Sequence, residues 1–128
     1  MISRRGLIKN CLASLVAVKV PTSAFSAKNV SSYRIIAQKS EHQFYEGANL
    51  SDLFLYNGSS PGPLIVEKKG NILEVEFLNL LDEPSSIHWH GIRNLNDMDG
   101  VPGLTQAPVE PGETFTYRFP LNDAGTFW

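Results

Sequence analysis

The stretch NILEVEFLNLL, residues 71–81, constrains the fold more than any other part of the chain. Leu73, Val75 and Phe77 alternate with Glu74 and Glu76. Period-two alternation of apolar and acidic residues predicts a strand with one face buried and the other in water. Residues 114–119, TFTYRF, repeat the pattern. Phe115, Tyr117 and Phe119 point inward and Thr116 and Arg118 outward, with Pro111-Gly112 opening the element and Pro120 closing it. Tyr33 to Lys39 is rich in β-formers. Asp52 to Tyr56 is apolar and runs into Asn57-Gly58, a strong turn signal. Ser60-Pro61-Gly62-Pro63 is a rigid turn that excludes helix. Leu64 to Glu67 reads as a further short strand, followed by a turn at Lys68-Lys69-Gly70-Asn71. No stretch carries a helical period. Short strands with frequent Gly and Pro punctuation predict an all-β domain, a Greek-key β-sandwich or barrel.

Size and charge narrow the possibilities. A chain of 128 residues with 42% hydrophobic and 19% charged residues suffices for one domain with a modest core. The net charge is −2, with no basic run, which argues against a nucleic-acid partner. The N-terminus has a different character. MISRRGLIKN is followed by an apolar run from Cys11 to Val18 and then by small residues, the layout of an export signal over residues 1–26. Ser3-Arg4-Arg5-Gly6-Leu7-Ile8-Lys9 resembles the twin-arginine signal, which implies the twin-arginine export machinery as a partner and a periplasmic or otherwise exported destination. The apolar run is too short and interrupted for stable membrane insertion. Without residues 1–26 the chain keeps seven cations against thirteen acids and loses Cys11, its single cysteine. Metal chemistry in residues 27–128 must therefore use imidazole and carboxylate.

Two of the three histidines stand together in SSIHWHGI, residues 85–92. In a strand, the i, i+2 spacing puts His88 and His90 on one face and Trp89 on the other. Same-face imidazoles can serve one metal or two adjacent ones, and neutral imidazole suits copper and zinc. Two ligands are not a site, and a bare His-x-His is more often an ordinary pair of strand residues. His42 has no such partner and reads as a surface residue. The connection from Asn94 to Pro111 is long for a compact domain, the kind of loop that is functional or mobile.

The wider string decides between these readings. LYNGSSPGPLI, SSIHWHGI, MDGVPGLTQAPVEPGETFTYRF and DAGTFW together resemble the first cupredoxin-like domain of the multicopper oxidases, the laccase-like family. The resemblance runs from about Tyr33 to Trp128. It implies a cupredoxin-like Greek-key β-sandwich over residues 27–128. It implies a trinuclear copper cluster, with His88 at the type 2 copper and His90 at a type 3 copper. Asp99 matches an acid that delivers protons to reduced oxygen. That role has its own logic, because reducing O2 to water consumes protons and a carboxylate linked by water can relay them. Thr105-Gln106 and Pro108 match a structural part of the loop, and Ala107 stands where some relatives carry a cysteine.

In the family, Gly125-Thr126-Phe127-Trp128 continues into a second His-x-His. The expectation is therefore a sandwich incomplete at its C-terminal end, a chain inactive by itself, and no type 1 copper site within it. The reading is the N-terminal part of an exported oxidase. Such an enzyme couples one-electron oxidation of a phenol, aromatic amine or metal ion to reduction of O2. The alternatives are a copper-free structural relative of the fold and a small exported copper-binding module. The second normally needs a cysteine thiolate, which residues 27–128 lack.

Overall fold

The computed structural model describes residues 28–128. The proposed export signal, residues 1–26, lies outside them. Four strands form one sheet: β1 (Val30–His42), β2 (Ser51–Tyr56), β3 (Ile72–Asn79) and β4 (Thr114–Pro120). Their spatial order is β2-β1-β3-β4. β1 and β2 are an antiparallel hairpin in which Ala37 faces Tyr56. β1 and β3 run parallel, with Val30 opposite Ile72. β3 and β4 are antiparallel, with Val75 opposite Tyr117.

Local chemistry explains each element. Asn57 (φ 52°) and Gly58 (φ 69°) both take the left-handed conformation that a tight hairpin turn requires. The Asn57 side chain then prolongs the ladder along β1. Its Oδ1 accepts from the Ile36 amide at 2.7 Å and its Nδ2 donates to the Arg34 carbonyl at 3.2 Å. The connection from β2 to β3 must pass β1, because β3 lies on the far side of it. Glu67 anchors that crossing. Its carboxylate accepts from the Tyr33 hydroxyl at 2.7 Å and from Asn71 Nδ2 at 3.1 Å.

The alternation read in the sequence is the alternation of the sheet. Leu73, Val75, Phe77, Tyr117 and Phe119 are buried on one face with Ile35 and Ala37. The opposite face carries a lattice of exposed charge. Arg34 pairs with Glu76 at 2.8 Å, and Arg118 with Glu74 at 3.1 Å. Solvated on one side and apolar on the other, the sheet needs a cover. The cover is the chain from Leu81 to Val109, which lays Leu81, Ile87, Trp89 and Val109 on the apolar face.

Two expected strands take another form. Leu64 to Glu67 is extended but joins no ladder, and Leu64 and Val66 stay exposed. Only Ile65 of this segment packs against the core, and Glu67 ties it to Tyr33 of β1. The histidine segment is also extended without ladder partners, apart from a single bridge between Ser85 and Val109. The alternation of side chains survives all the same, with Ile87 and Trp89 buried and His88 and His90 exposed. A 3₁₀ turn, Asn96–Met98, sits within the long connection.

Asn79 closes the cover onto the sheet. It is fully buried, and its side chain makes three hydrogen bonds. Nδ2 donates to the carbonyls of Glu83 and Val109, each at 2.9 Å, and Oδ1 accepts from the Leu81 amide at 3.0 Å. Asn79→Ala strands these buried groups, so its urea unfolding free energy should fall by about 2–4 kcal/mol; a loss below ~0.5 kcal/mol would contradict this role.

The Glu67 cluster makes a prediction about pH. The hydrogen bonds from Tyr33 and Asn71 hold the Glu67 carboxyl below the ordinary glutamate range. A depressed folded-state pKa stabilises the fold above the unfolded value of ~4.3, and this stabilisation is lost as pH falls through the folded value. Urea titrations between pH ~6 and ~3 should show a steeper loss for the wild type than for Glu67→Gln. Parallel curves would rule out the linkage.

Candidate metal centre

His88 and His90 project from one side of the extended segment, with ring centroids 5.8 Å apart and planes at 87°. Trp89, between them, is driven into the core, its indole edge-on to Tyr117 (5.5 Å) and Phe119 (5.3 Å). Burying this one large ring turns both imidazoles outward, since side chains alternate along an extended chain. The backbone is held from below, where the Ile87 amide donates to the buried Tyr117 hydroxyl at 2.9 Å. Burial pushes the Tyr117 phenol above its ordinary pKa, so it remains a neutral hydroxyl at physiological pH.

The loop after the histidines orients the first of them. His88 Nδ1 lies 2.8 Å from the Asp99 carbonyl oxygen. A carbonyl only accepts, so Nδ1 carries the proton and donates it. In the neutral ring the lone pair then resides on Nε2, the nitrogen without a protein partner among the described residues. This is the outer-shell arrangement that prepares an imidazole for a metal. Asp99 adds its carboxylate, with Oδ2 3.6 Å from the same Nδ1 and the side chain 30% exposed.

Gly100 permits this approach. Its φ is 76°, and a Cβ there would lie 1.6 Å from the Ile87 carbonyl oxygen and 3.1 Å from His88 Cα. The Ser86 hydroxyl donates to the Gly100 carbonyl at 2.7 Å, closing the two backbones together. Farther along, Thr105 folds the loop back. Its Oγ1 accepts from the Val101 amide at 2.9 Å, and its own amide donates to the Val101 carbonyl at 3.0 Å. Thr105 thus ties the loop to itself at Val101.

His90 is oriented differently. No hydrogen bond among the described residues involves its ring nitrogens; instead the Trp128 indole stacks on it, with centroids 4.4 Å apart and planes within 9°. Next to the stack, Phe127 lies against Gly91, where a Cβ would meet Phe127 Cδ1 at 3.1 Å. Arg93 grips Asp123 through two contacts, Nε to Oδ2 at 3.2 Å and an Nη to Oδ1 at 3.1 Å. His42 lies apart from this centre, edge-on to Phe44. Sequence reasoning missed Trp128, the Arg93–Asp123 fork and the Tyr117 hydroxyl, because Trp128, Asp123 and Tyr117 all lie far from the histidines along the chain. Asp-Gly at 99–100 was the one available signal for the close approach of the loop.

The donor set fits copper in kind and is partial in number. It offers imidazole nitrogens, one of them with a defined free lone pair, on an exposed surface. Among the described residues no group of three or more His, Cys, Asp or Glu side chains converges. Nor is any helix there long and apolar enough to cross a membrane.

Comparison with known proteins places this centre in a family. The family model described as "Multicopper oxidase" matches residues 37–128, and the chain belongs to the multicopper oxidase family. Laccase-1 of Emericella nidulans is 45% identical over 84 residues, covering 64% of this chain and 14% of the relative. Copper resistance protein A of Escherichia coli is 34% identical and aligns with 98% of this chain and 22% of its own length. The crystal structure of a multi-copper oxidase from Pseudomonas thermotolerans superposes with a TM-score of 0.75 at 42% identity. That match covers 80% of this chain and 25% of the other. The likeness bears out the cupredoxin-like β-sandwich. This chain thus spans between about a seventh and a quarter of the relatives it matches.

Gly100→Ala should be severe, since the new methyl would overlap the Ile87 carbonyl. Urea unfolding should lose at least ~3 kcal/mol, with the His88 Nδ1–H resonance displaced from its bonded position. A folded variant within ~0.5 kcal/mol of wild type and an unmoved resonance would disprove the packing argument.

Proposed function

We propose that residues 27–128 are the first cupredoxin domain of an exported laccase-like oxidase and that residues 1–26 are its twin-arginine signal. In this reading His88 binds the type 2 copper and His90 a type 3 copper of a trinuclear cluster completed by other ligands. The enzyme couples one-electron oxidation of a phenol, aromatic amine or metal ion to reduction of O2 to water. The observation that carries the reading is the His88–Asp99 hydrogen bond. It leaves Nε2 as the unprotonated nitrogen of an exposed ring, and the neighbouring imidazole is 5.8 Å away. Family membership supports copper as the metal, and the similarity to a copper resistance protein supports export into a copper-exposed compartment.

Copper, when bound, supplies the one-electron redox chemistry and the place where O2 is reduced. The residues of this chain prepare and serve that place. The Asp99 carbonyl keeps the proton of His88 on Nδ1, so the ring cannot flip without losing that bond. The Asp99 carboxylate lies 3.6 Å from the Nδ1 edge of this ring and is 30% exposed, a position from which a carboxylate can relay a proton from water toward the site. Trp89 and Tyr117 exclude water from beneath the histidine segment and hold its backbone still.

Calorimetric titration of the chain with Cu2+ tests the ligand assignment. His88→Ala and His90→Ala should each weaken binding by at least ~10-fold, and His42→Ala should leave it unchanged. Equal binding by wild type and His88→Ala would overturn the assignment and leave a copper-free relative of the fold as the better reading. In the oxidase containing this chain, Asp99→Asn should slow O2 consumption ~10²-fold with little change in KM for the reducing substrate. An unchanged rate would remove Asp99 from the proton path.

A further inference from the structure

We propose that Trp128 is the positioning residue of His90: its indole sets the plane of an imidazole that no hydrogen bond orients. The inference rests on the reading of His90 as a copper ligand. A ligand histidine must present its nitrogen within a narrow range of directions, yet the imidazole torsion is broad and roughly two-fold. His88 meets the requirement through the Asp99 carbonyl. His90 has no counterpart of that bond among the described residues. Its ring is instead parallel to the indole within 9°, at 4.4 Å.

The Trp128 indole has one aromatic neighbour among the described residues, His90. Its own placement is fixed by the adjacent contacts, Phe127 against Gly91 and the Arg93–Asp123 fork. These tie residues 91–93 to residues 123–127 next to the stack.

Stacking also differs in kind from the device at His88. A hydrogen bond occupies one ring nitrogen and so selects the other as ligand. A stack fixes the plane and leaves both nitrogens at the ring edge free. Metal binding withdraws charge from the imidazole, which strengthens its attraction to an electron-rich indole face. The stack therefore tightens on loading.

The test uses the intact chain, with Trp128→Leu, Trp128→Phe and His90→Ala. The first readout is the NMR resonances of the His90 ring protons without metal. The indole should shift them upfield relative to those of His88 and His42. Trp128→Leu should abolish the shift and Trp128→Phe should retain part of it, with the amide resonances of the four strands unchanged in both. The second readout is Cu2+ affinity. It should fall about three- to tenfold in Trp128→Leu, fall less in Trp128→Phe, and not change when Trp128→Leu is made in the His90→Ala background. His90 resonances unmoved by Trp128→Leu would overturn the proposal, as would an equal affinity loss in the His90→Ala background. If the wild type holds no Cu2+ at these histidines, the copper reading fails, and the ring resonances still decide whether Trp128 orients His90.

Discussion

The bond from the Ile87 amide to the Tyr117 hydroxyl joins the two halves of this structure. The histidine segment has no ladder, so its backbone groups must find partners individually or remain unsatisfied against the core. Two residues do so: Ser85 exchanges two backbone bonds with Val109, and the Ile87 amide donates to Tyr117. The Ser86 hydroxyl and the His88 ring add side-chain bonds to the carbonyls of Gly100 and Asp99. Of these partners, only Tyr117 belongs to the sheet. The sheet thus holds the segment through one buried hydroxyl and the aromatic packing of Trp89, and the loop is arranged around what they fix.

This accounts for how an exposed pair of rings can be well placed. Surface imidazoles ordinarily sample several orientations. Here the backbone beneath them is anchored at a buried point, and each ring is restrained separately above it. One restraint is a hydrogen bond from a loop that glycine alone lets close. The other is an aromatic plane brought in by a distant part of the chain.

What could be read from the sequence follows from the range of each interaction. The period of β3 and β4 is a local property, and the buried and exposed residues fall where the alternation puts them. Asn57-Gly58 is local as well, and the turn is there. The outward direction of His88 and His90 was also recoverable, since alternation holds in any extended segment, paired or not. Pairing itself was not. Leu64 to Glu67 has strand composition but joins no ladder, and SSIHWHGI is extended without being a strand. Hydrogen-bond partners of an edge or crossing segment are set by tertiary neighbours. The same limit hid Trp128, which meets His90 only after the chain has traversed β4. The family resemblance supplied Asp99. It was silent on the Asp99 backbone carbonyl, which is the group that bonds His88.

The parallel pairing of β1 with β3 has a consequence for how the chain acquires its structure. Val30 finds Ile72, and Ile72 in turn finds Pro120. Neither of these pairings is local, and the one antiparallel pair close in sequence, β1–β2, is joined by the eight residues 43–50 and encloses no core of its own. Loop closure must precede any hydrophobic gain, which puts the domain among the slower-folding topologies. During synthesis the apolar face of β3 must wait for β4 and for the covering segment. Its leucine, valine and phenylalanine are then open to other chains. The acidic residues alternating with them stay in water throughout that interval. Glu74 and Glu76, whose partners in the finished sheet are Arg118 and Arg34, would thus first serve as like charges that keep two nascent copies from pairing strand to strand.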